Sequence, residues 1–463
     1  MQAKRCGACC VGLLALVLVG ASVGAVARKP ALVIPVSRDT ATNTGFQHET
    51  EVEPSIASAG SVLVTVFQVG RGPLHGAAAT GWATSRNGGK TWRRGLFQAI
   101  TRPGVNPPTA IDITDPVVSY DAVHRIWIAA SIADFANGSR TLQVHRSRDG
   151  LHWSAPVEVA KGVVDKDWLV CDKSARSRFR GRCYVAFTRE DVERLGVRWS
   201  GDGGATWSAE TPIAAPLGVP TAATPAVRPD GGLVVVFRQG GSGRPDQVRA
   251  LTFSAVRSAD GGQTFGPPSA VDVVRPYFER HLRALPSVIP SIVVDARGRL
   301  YAVWQSCRFR KQCDSNDLVL SISANGSRWS KPRRLPLGRR GHHVIPGLGI
   351  AQTRPGLAVR LGLVYVNVPT DRCAPAKCRL EIFFTESTNG GRTWTRPLRL
   401  TGQMRFTWLA QAPPGQTFAG DYTATTFIGA TAWSAFSIAS PPTRGRLHQR
   451  IAVARIRPAD LPR

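Results

Sequence analysis

Acidic side chains are scarce in this chain. Its 463 residues carry 31 Asp and Glu against 59 Lys and Arg, a formal charge of +28 at pH 7. The basic residues are dispersed and do not gather with aromatics into clusters. For a chain that reads as exported, this argues against nucleic acid and for an acidic glycan or anionic envelope polymer as partner. Beyond the first 27 residues no run is long and apolar enough to span a bilayer. Nor does any cysteine or histidine spacing support a zinc site.

Residues 1–27, "MQAKRCGACCVGLLALVLVGASVGAVA", have a basic start, an apolar run and an Ala-x-Ala end. They read as a secretory signal peptide, which leaves residues 28–463 as one domain of a secreted protein. No cysteine follows the apolar run, so a lipoprotein signal is not indicated. Six cysteines remain after the leader, in three close pairs: Cys171/Cys183, Cys307/Cys313 and Cys373/Cys378. Export favours disulfides over metal ligation for such pairs.

What the chain does have is one short motif, repeated. "SGDGGATW" at 200–207 recurs as "SRNGGKTW", "SADGGQTF" and "STNGGRTW", and in shorter form as "SRDGLHW" and "SANGSRW". The six marker positions are Asn87, Asp149, Asp202, Asp260, Asn325 and Asn389. Spacing of this kind signals a repeat architecture. An Asp or Asn side chain accepts from the amides that follow it, and glycine supplies positive φ. Each copy is therefore a self-capped hairpin turn, structural in role.

Upstream of each turn lies a second hairpin, as in "EPSIASAGSVLVTVF" (53–67) and "DPVVSYDAVHRIWIAA" (115–130). Two hairpins per period make a four-stranded antiparallel sheet. Repetition of that sheet predicts an all-β fold, a β-propeller. Seven such hairpins favour seven blades, with six as the alternative. The run 31–36, "ALVIPV", is expected to pair with 448–456 and close the ring. "GHHVIPG", with His342 and His343, reads as loop.

The six boxes resemble those of the sialidase (neuraminidase) superfamily and its BNR-repeat relatives, over nearly all of the mature chain. "EPSIA", "DKDW" and "GDY" are similar to stretches of exo-alpha-sialidase-like secreted proteins. The resemblance implies a propeller, an arginine triad for a substrate carboxylate, an aspartate acid/base and a tyrosine nucleophile with a carboxylate partner. Where that family carries the first arginine of an Arg-Ile-Pro motif, this chain carries Glu53-Pro54-Ser55-Ile56.

If the capped turns mark one face, the residue before each inner strand points to the channel mouth on the other. These residues are Glu53, Asp115, Asp167, Thr224, Ile289, Arg354 and Asp421, with Asp165 nearby. Glu53, Asp115, Asp167, Asp421 and Tyr422 are the catalytic candidates. Asp115 or Glu53 would be acid/base, and Tyr422 the nucleophile by the resemblance. Arg189, Arg238 and Arg354 are candidates for holding an anionic substrate. Paired carboxylates suit glycoside hydrolysis, and the same cluster suits calcium. The function expected is a secreted exo-acting glycoside hydrolase on anionic glycans. The alternatives are a non-catalytic glycan- or protein-binding propeller, and a polysaccharide lyase using Tyr422 with an arginine.

Overall fold

A computed structural model describes residues 31–98, 109–215, 217–240, 251–275, 277–283, 289–351, 358–370, 372–413 and 415–462. The leader and Arg354 lie outside the described residues.

The regular structure is nearly all β, and the strands pair in four-stranded antiparallel units. In the first unit Gln47–Ala59 is innermost, followed by Val62–Arg71, Ala77–Ser85 and Arg93–Leu96. The next five repeat the plan, with inner strands Asp112–Asp121, Val164–Cys171, Thr221–Val227, Ser291–Val294 and His342–Ile350. The last unit is built from Ala424–Ile428, Thr431–Thr443 and Arg446–Ile456. Its fourth strand comes from the other end of the chain: Leu32–Pro35 pairs with Arg446–Ile456, from Leu32 against Arg455 to Pro35 against Ala452. Successive inner strands pack side by side, and the last returns to the first. The result is a closed β-propeller.

Inner and second strands are apolar on both faces because each sheet is sandwiched between neighbours. Val235 packs toward Tyr184 and Val197 of the preceding unit, while Val234 and Val236 pack toward Leu300 and Trp304 of the next. Trp127, Trp304, Tyr184, Tyr301 and Tyr365 are fully buried in such seams. Each large apolar side chain removed from water contributes about 2–3 kcal/mol.

The six boxes form the expected turns. In the third unit Ser200 Oγ donates to Asp202 Oδ1 (2.7 Å) and accepts from Gly204 N (2.8 Å). Asp202 also accepts from the amides of Ala205 and Thr206 and from Thr206 Oγ1. Burial opposes its charge, but these donors outweigh it and hold the carboxyl at about 2. The boxes also join units. A Cβ on Gly89 (φ +76°) would stand 2.0 Å from Trp433 of the last unit, and one on Gly391 2.6 Å from Leu320 of the unit before. Only glycine lets the turn lie that close beneath its neighbour.

Three disulfides join Cys171 to Cys183, Cys307 to Cys313 and Cys373 to Cys378. They are compatible with an extracellular protein. No helix among the described residues is long and apolar enough to cross a membrane.

One reading is corrected. His342 and His343 are not loop residues; they open the inner strand His342–Ile350 and are buried. Arg354 therefore falls in the chain between that strand and the second strand, Leu361–Val368, and not ahead of the inner strand. The run "HHVIPGLGI" carries the same x-Pro pattern as Glu53-Pro54, masked by its histidines and glycines.

Candidate active site

At the face opposite the boxes, five inner strands carry the same irregularity. The ladder to the second strand slips between Val52 and Ser55, Thr114 and Val117, Asp165 and Trp168, Thr221 and Thr224, and Val344 and Gly347. In each slip one non-glycine residue has positive φ: Glu53 (55°), Asp115 (52°), Lys166 (50°), Ala222 (57°) and Ile345 (55°). Strain of this kind costs about 1–3 kcal/mol per residue and gathers at functional sites, as do bulges. Here it turns side chains from the sheet into the channel mouth.

The bulges also fix the true register. The third unit places Lys166 in the slot that Glu53 and Asp115 hold, while Asp167 falls one place later, with Pro54 and Pro116. A lysine therefore stands where a carboxylate was expected. Lys166 Nζ lies 2.9 Å from Asp421 Oδ2 and 3.6 Å from Asp115 Oδ1, and its backbone N–H donates to Asp115 Oδ2 (2.9 Å). Burial alone would lower its pKa, but Asp115, Asp421, Asp165 and Glu53 together raise it well above the usual lysine range. The cluster thus contains its own cation among the carboxylates considered for calcium.

Glu53 is buried beside this pair. Gln68 Nε2 donates to its Oε2 (2.6 Å), and Asp421 N donates to its Oε1 (3.2 Å). Burial, then the charges of Asp421 and Asp115, push Glu53 up to about 8. Asp165 is pushed to about 7, chiefly by burial.

Glu53, Lys166 and Asp421 line a cavity of about 430 Å³. Arg238 lines it too, as expected from its place at the end of a second strand; burial lowers its pKa to about 10 against the pull of Asp421. Two arginines that sequence reasoning missed face the same space, Arg71 and Arg283. Both guanidiniums lie over the Phe418 ring, at 4.6 and 5.1 Å. Arg71 obeys the rule that found Arg238, because its strand runs on past Phe67 to Arg71. Arg283 and Phe418 come from two connections that join each other: Arg283 N donates to Thr417 O, and Thr417 N to His281 O.

The cavity rim holds His75, Asp112 and Asp134, whose ligand atoms all lie within 4.8 Å of one another. His75 Nδ1 is 2.7 Å from Asp112 Oδ2, and Arg140 Nε is 3.0 Å from Asp134 Oδ1. Burial and the nearby Asp112 push Asp134 to about 6. These three side chains are the described group able to hold a metal ion.

Three expected site residues take other places. Tyr422 is buried; its hydroxyl donates to Pro116 O (3.0 Å) and its ring meets the Trp168 edge. Burial and the surrounding carboxylates raise its pKa well above the usual phenol range. Asp167 is buried with both carboxyl oxygens unpartnered, and burial, then the charges of Asp115 and Asp165, raise its pKa well above the usual carboxylate range. With Asp115 and Tyr422 it lines a small void of about 10 Å³ beneath Lys166, not the main cavity. Arg189 points away, held by Asp191 (2.7 Å) and Glu210 (2.8 Å).

No curated protein sequence matches the chain. Among solved structures, a phage phi92 endosialidase aligns over 92% of this chain and 69% of its own, at 10% identity and TM-score 0.50. Hadza microbial sialidase Hz136 aligns over 90% of this chain and 67% of its own, at 15% identity and TM-score 0.46. An ulvan lyase aligns over 91% of this chain and 95% of its own, at 11% identity and TM-score 0.49. The first of these likenesses shows a sialidase-like propeller fold. The BNR repeat-like domain matches residues 36–272, more than half the chain, and the protein belongs to that family.

Proposed function

We propose that this chain is a secreted, exo-acting glycoside hydrolase of the sialidase-like kind, working on a glycan that carries an anionic group. One observation carries the reading: two carboxyl groups of the same cavity, Glu53 and Asp421, have opposite surroundings. Asp421 is ion-paired with Lys166 at 2.9 Å, whereas Glu53 has no ion-pair partner among the described residues and is raised to about 8. A cation thus faces one carboxyl, while the other keeps its proton at neutral pH. Glycoside hydrolysis needs that division of labour.

In this reading Glu53 is the general acid that protonates the departing glycosidic oxygen. The Asp421 carboxylate serves the anomeric carbon, as base for water or as nucleophile. Arg71, Arg238 and Arg283 hold the substrate's anionic group, since guanidinium matches a carboxylate with two parallel bonds. Gln68 and Lys166 position the two carboxyls. The signal-like residues 1–27 direct export.

A panel of sialyl, uronosyl and sulfated glycosides, incubated with wild type and Glu53→Gln, tests the proposal. Expected is release of one sugar class by wild type and a loss of at least about a hundredfold in Glu53→Gln. No release from any member, or equal rates for the two proteins, would refute it.

A further inference from the structure

We infer that the face bearing the boxes is a second binding surface, one that docks a polyanionic glycan chain away from the cavity described above. The starting point is a contrast in how the two faces treat their cations. On the cavity side, cations meet carboxylates: Lys166 with Asp421, Arg140 with Asp134 and Glu190, Arg189 with Asp191 and Glu210, Arg310 and Arg334 with Asp317. On the box side Arg360 pairs with Glu386 and Arg228 with Asp230, but one cluster of cations has no carboxylate partner among the described residues.

The long turn between Cys171 and Cys183 holds Lys173, Arg176, Arg178, Arg180 and Arg182 against one acid, Asp172. That acid is buried and accepts from the Ser174 amide. Three of the arginines are spread over neighbouring units by neutral acceptors. Arg176 donates to Ala296 O (2.6 Å), Arg178 to Ala259 O (2.6 Å) and Arg182 to Gly261 O (2.8 Å). A carbonyl fixes a guanidinium without cancelling its charge. Arg297 joins them from the turn that Arg176 contacts. No carboxylate lies within ion-pair distance of these six cations among the described residues. The exposed acid nearby, Asp230, pairs with Arg228 at 3.4 Å.

Two of these cations, Lys173 and Arg176, line a cavity of about 570 Å³ at the lower mouth of the channel. Its wall is largely aliphatic, from Val170, Val227, Val293 and Ile350; its two acids, Asp172 and Asp295, are buried and accept from backbone amides. Concavity, aliphatic walls and unneutralised guanidiniums fit sugar rings that carry carboxylates or sulfates. The patch lacks what other polyanions need. Its ring for stacking on bases, Phe179, is covered by Arg178 and Arg182, both 4.8 Å from the centroid. An anionic membrane would find only Val123 as a protruding large apolar residue there.

The test uses the full secreted protein and two immobilised probes, a heparin oligosaccharide and polygalacturonate. The variant is Lys173→Gln/Arg180→Gln/Arg297→Gln, whose side chains make no hydrogen bond among the described residues; its melting temperature should equal that of wild type. Expected is at least a tenfold loss of affinity for one or both glycans at physiological salt. The slope of log affinity against log salt should shrink by about two to three, as the three charges leave. Unchanged affinity and slope would overturn the inference. So would loss of binding through Arg238→Gln/Arg283→Gln alone, which would put the polymer in the upper cavity. Wild type that prefers duplex DNA or phosphatidylserine vesicles to both glycans would overturn the glycan assignment. None of these readings needs turnover, so a protein inactive on every glycoside would sink the proposed function and leave this inference standing.

Discussion

Lys166 Nζ and the buried Asp421 Oδ2, 2.9 Å apart, join the third and last units across the channel mouth. The same ammonium faces Asp115 at 3.6 Å. Removing it leaves two buried carboxylates without a cation, which typically costs about 3–5 kcal/mol. Lys166→Met should therefore destabilise the protein by about that amount at pH 8, measured by denaturant unfolding. At pH 5 the loss should be smaller, because the stranded carboxyls can take up protons. Equal losses at both pH values would show that packing, not charge, is what Lys166 supplies.

Glu53 is the group whose protonation the proposed chemistry depends on. With its pKa raised to about 8 by burial and by Asp421 and Asp115, it keeps its proton through neutral pH and loses it above. Activity should then fall on the alkaline side with a midpoint near 8, read as kcat/KM against pH. Gln68 donates to Glu53 at 2.6 Å and helps set that midpoint. Gln68→Leu should move the alkaline limb while leaving a folded enzyme. An alkaline limb unmoved by Gln68→Leu would detach Glu53 from the profile.

What could be read in the sequence was whatever a repeat imposes locally. The boxes, the inner hairpins and the close cysteine pairs are short-range features, and Ser200 with Asp202 closes its turn within a few residues. The site was read through the same repeat and slipped where the repeat slips. Proline marks the bulge in the first two units, so Glu53 and Asp115 were located. The third unit replaces proline with Asp167, and the alignment landed one residue beyond Lys166. Tyr422 was chosen by family likeness, but the backbone at Gly420–Asp421 turns its ring toward Trp168. Arg283 and Phe418 had no signal, because they lie in connections outside the repeat that meet through long-range contacts around the Leu282–Thr417 bridge.

The box glycines make a sharp stability test. Gly88 and Gly89 are adjacent, with φ of +65° and +76°. A Cβ on Gly88 would meet open space, while one on Gly89 would collide with Trp433 at 2.0 Å. Gly88→Ala should cost only the left-handed backbone penalty, about 1–2 kcal/mol. Gly89→Ala carries the same penalty plus the collision and should cost at least about 2 kcal/mol more. Equal melting temperatures for the two variants would show that the box does not lock one blade to the next.

Glu51 supplies a pH test remote from the cavity. It lies in the first inner strand, 1% exposed, and Ser37 Oγ donates to its Oε2 at 2.7 Å. Burial raises its pKa to about 8, and that hydrogen bond only partly opposes the rise. Between about pH 4.5 and 8 the folded state holds a proton that the unfolded chain has lost. Stability must therefore fall as pH rises through this window. Glu51→Gln mimics the protonated form and should flatten the decline in melting temperature between pH 5 and pH 8. A decline as steep as that of wild type would assign the slope to other groups.

Tyr422 separates the geometry from the family likeness. Were it the nucleophile, Tyr422→Phe would abolish turnover. The structure places its hydroxyl on Pro116 O, 3.0 Å away, with the ring against Trp168 and the cavity on the far side of Lys166. Phenylalanine keeps the ring packing and loses one buried hydrogen bond, which costs about 1–2 kcal/mol. Tyr422→Phe should accordingly lower the melting temperature by a few degrees and keep kcat within about threefold of wild type, whereas Asp421→Asn should lower kcat by at least about a hundredfold. The paired measurement is kcat and thermal melting on the same preparations. A Tyr422→Phe enzyme that melts like wild type but has lost its turnover would restore the tyrosine to the chemistry.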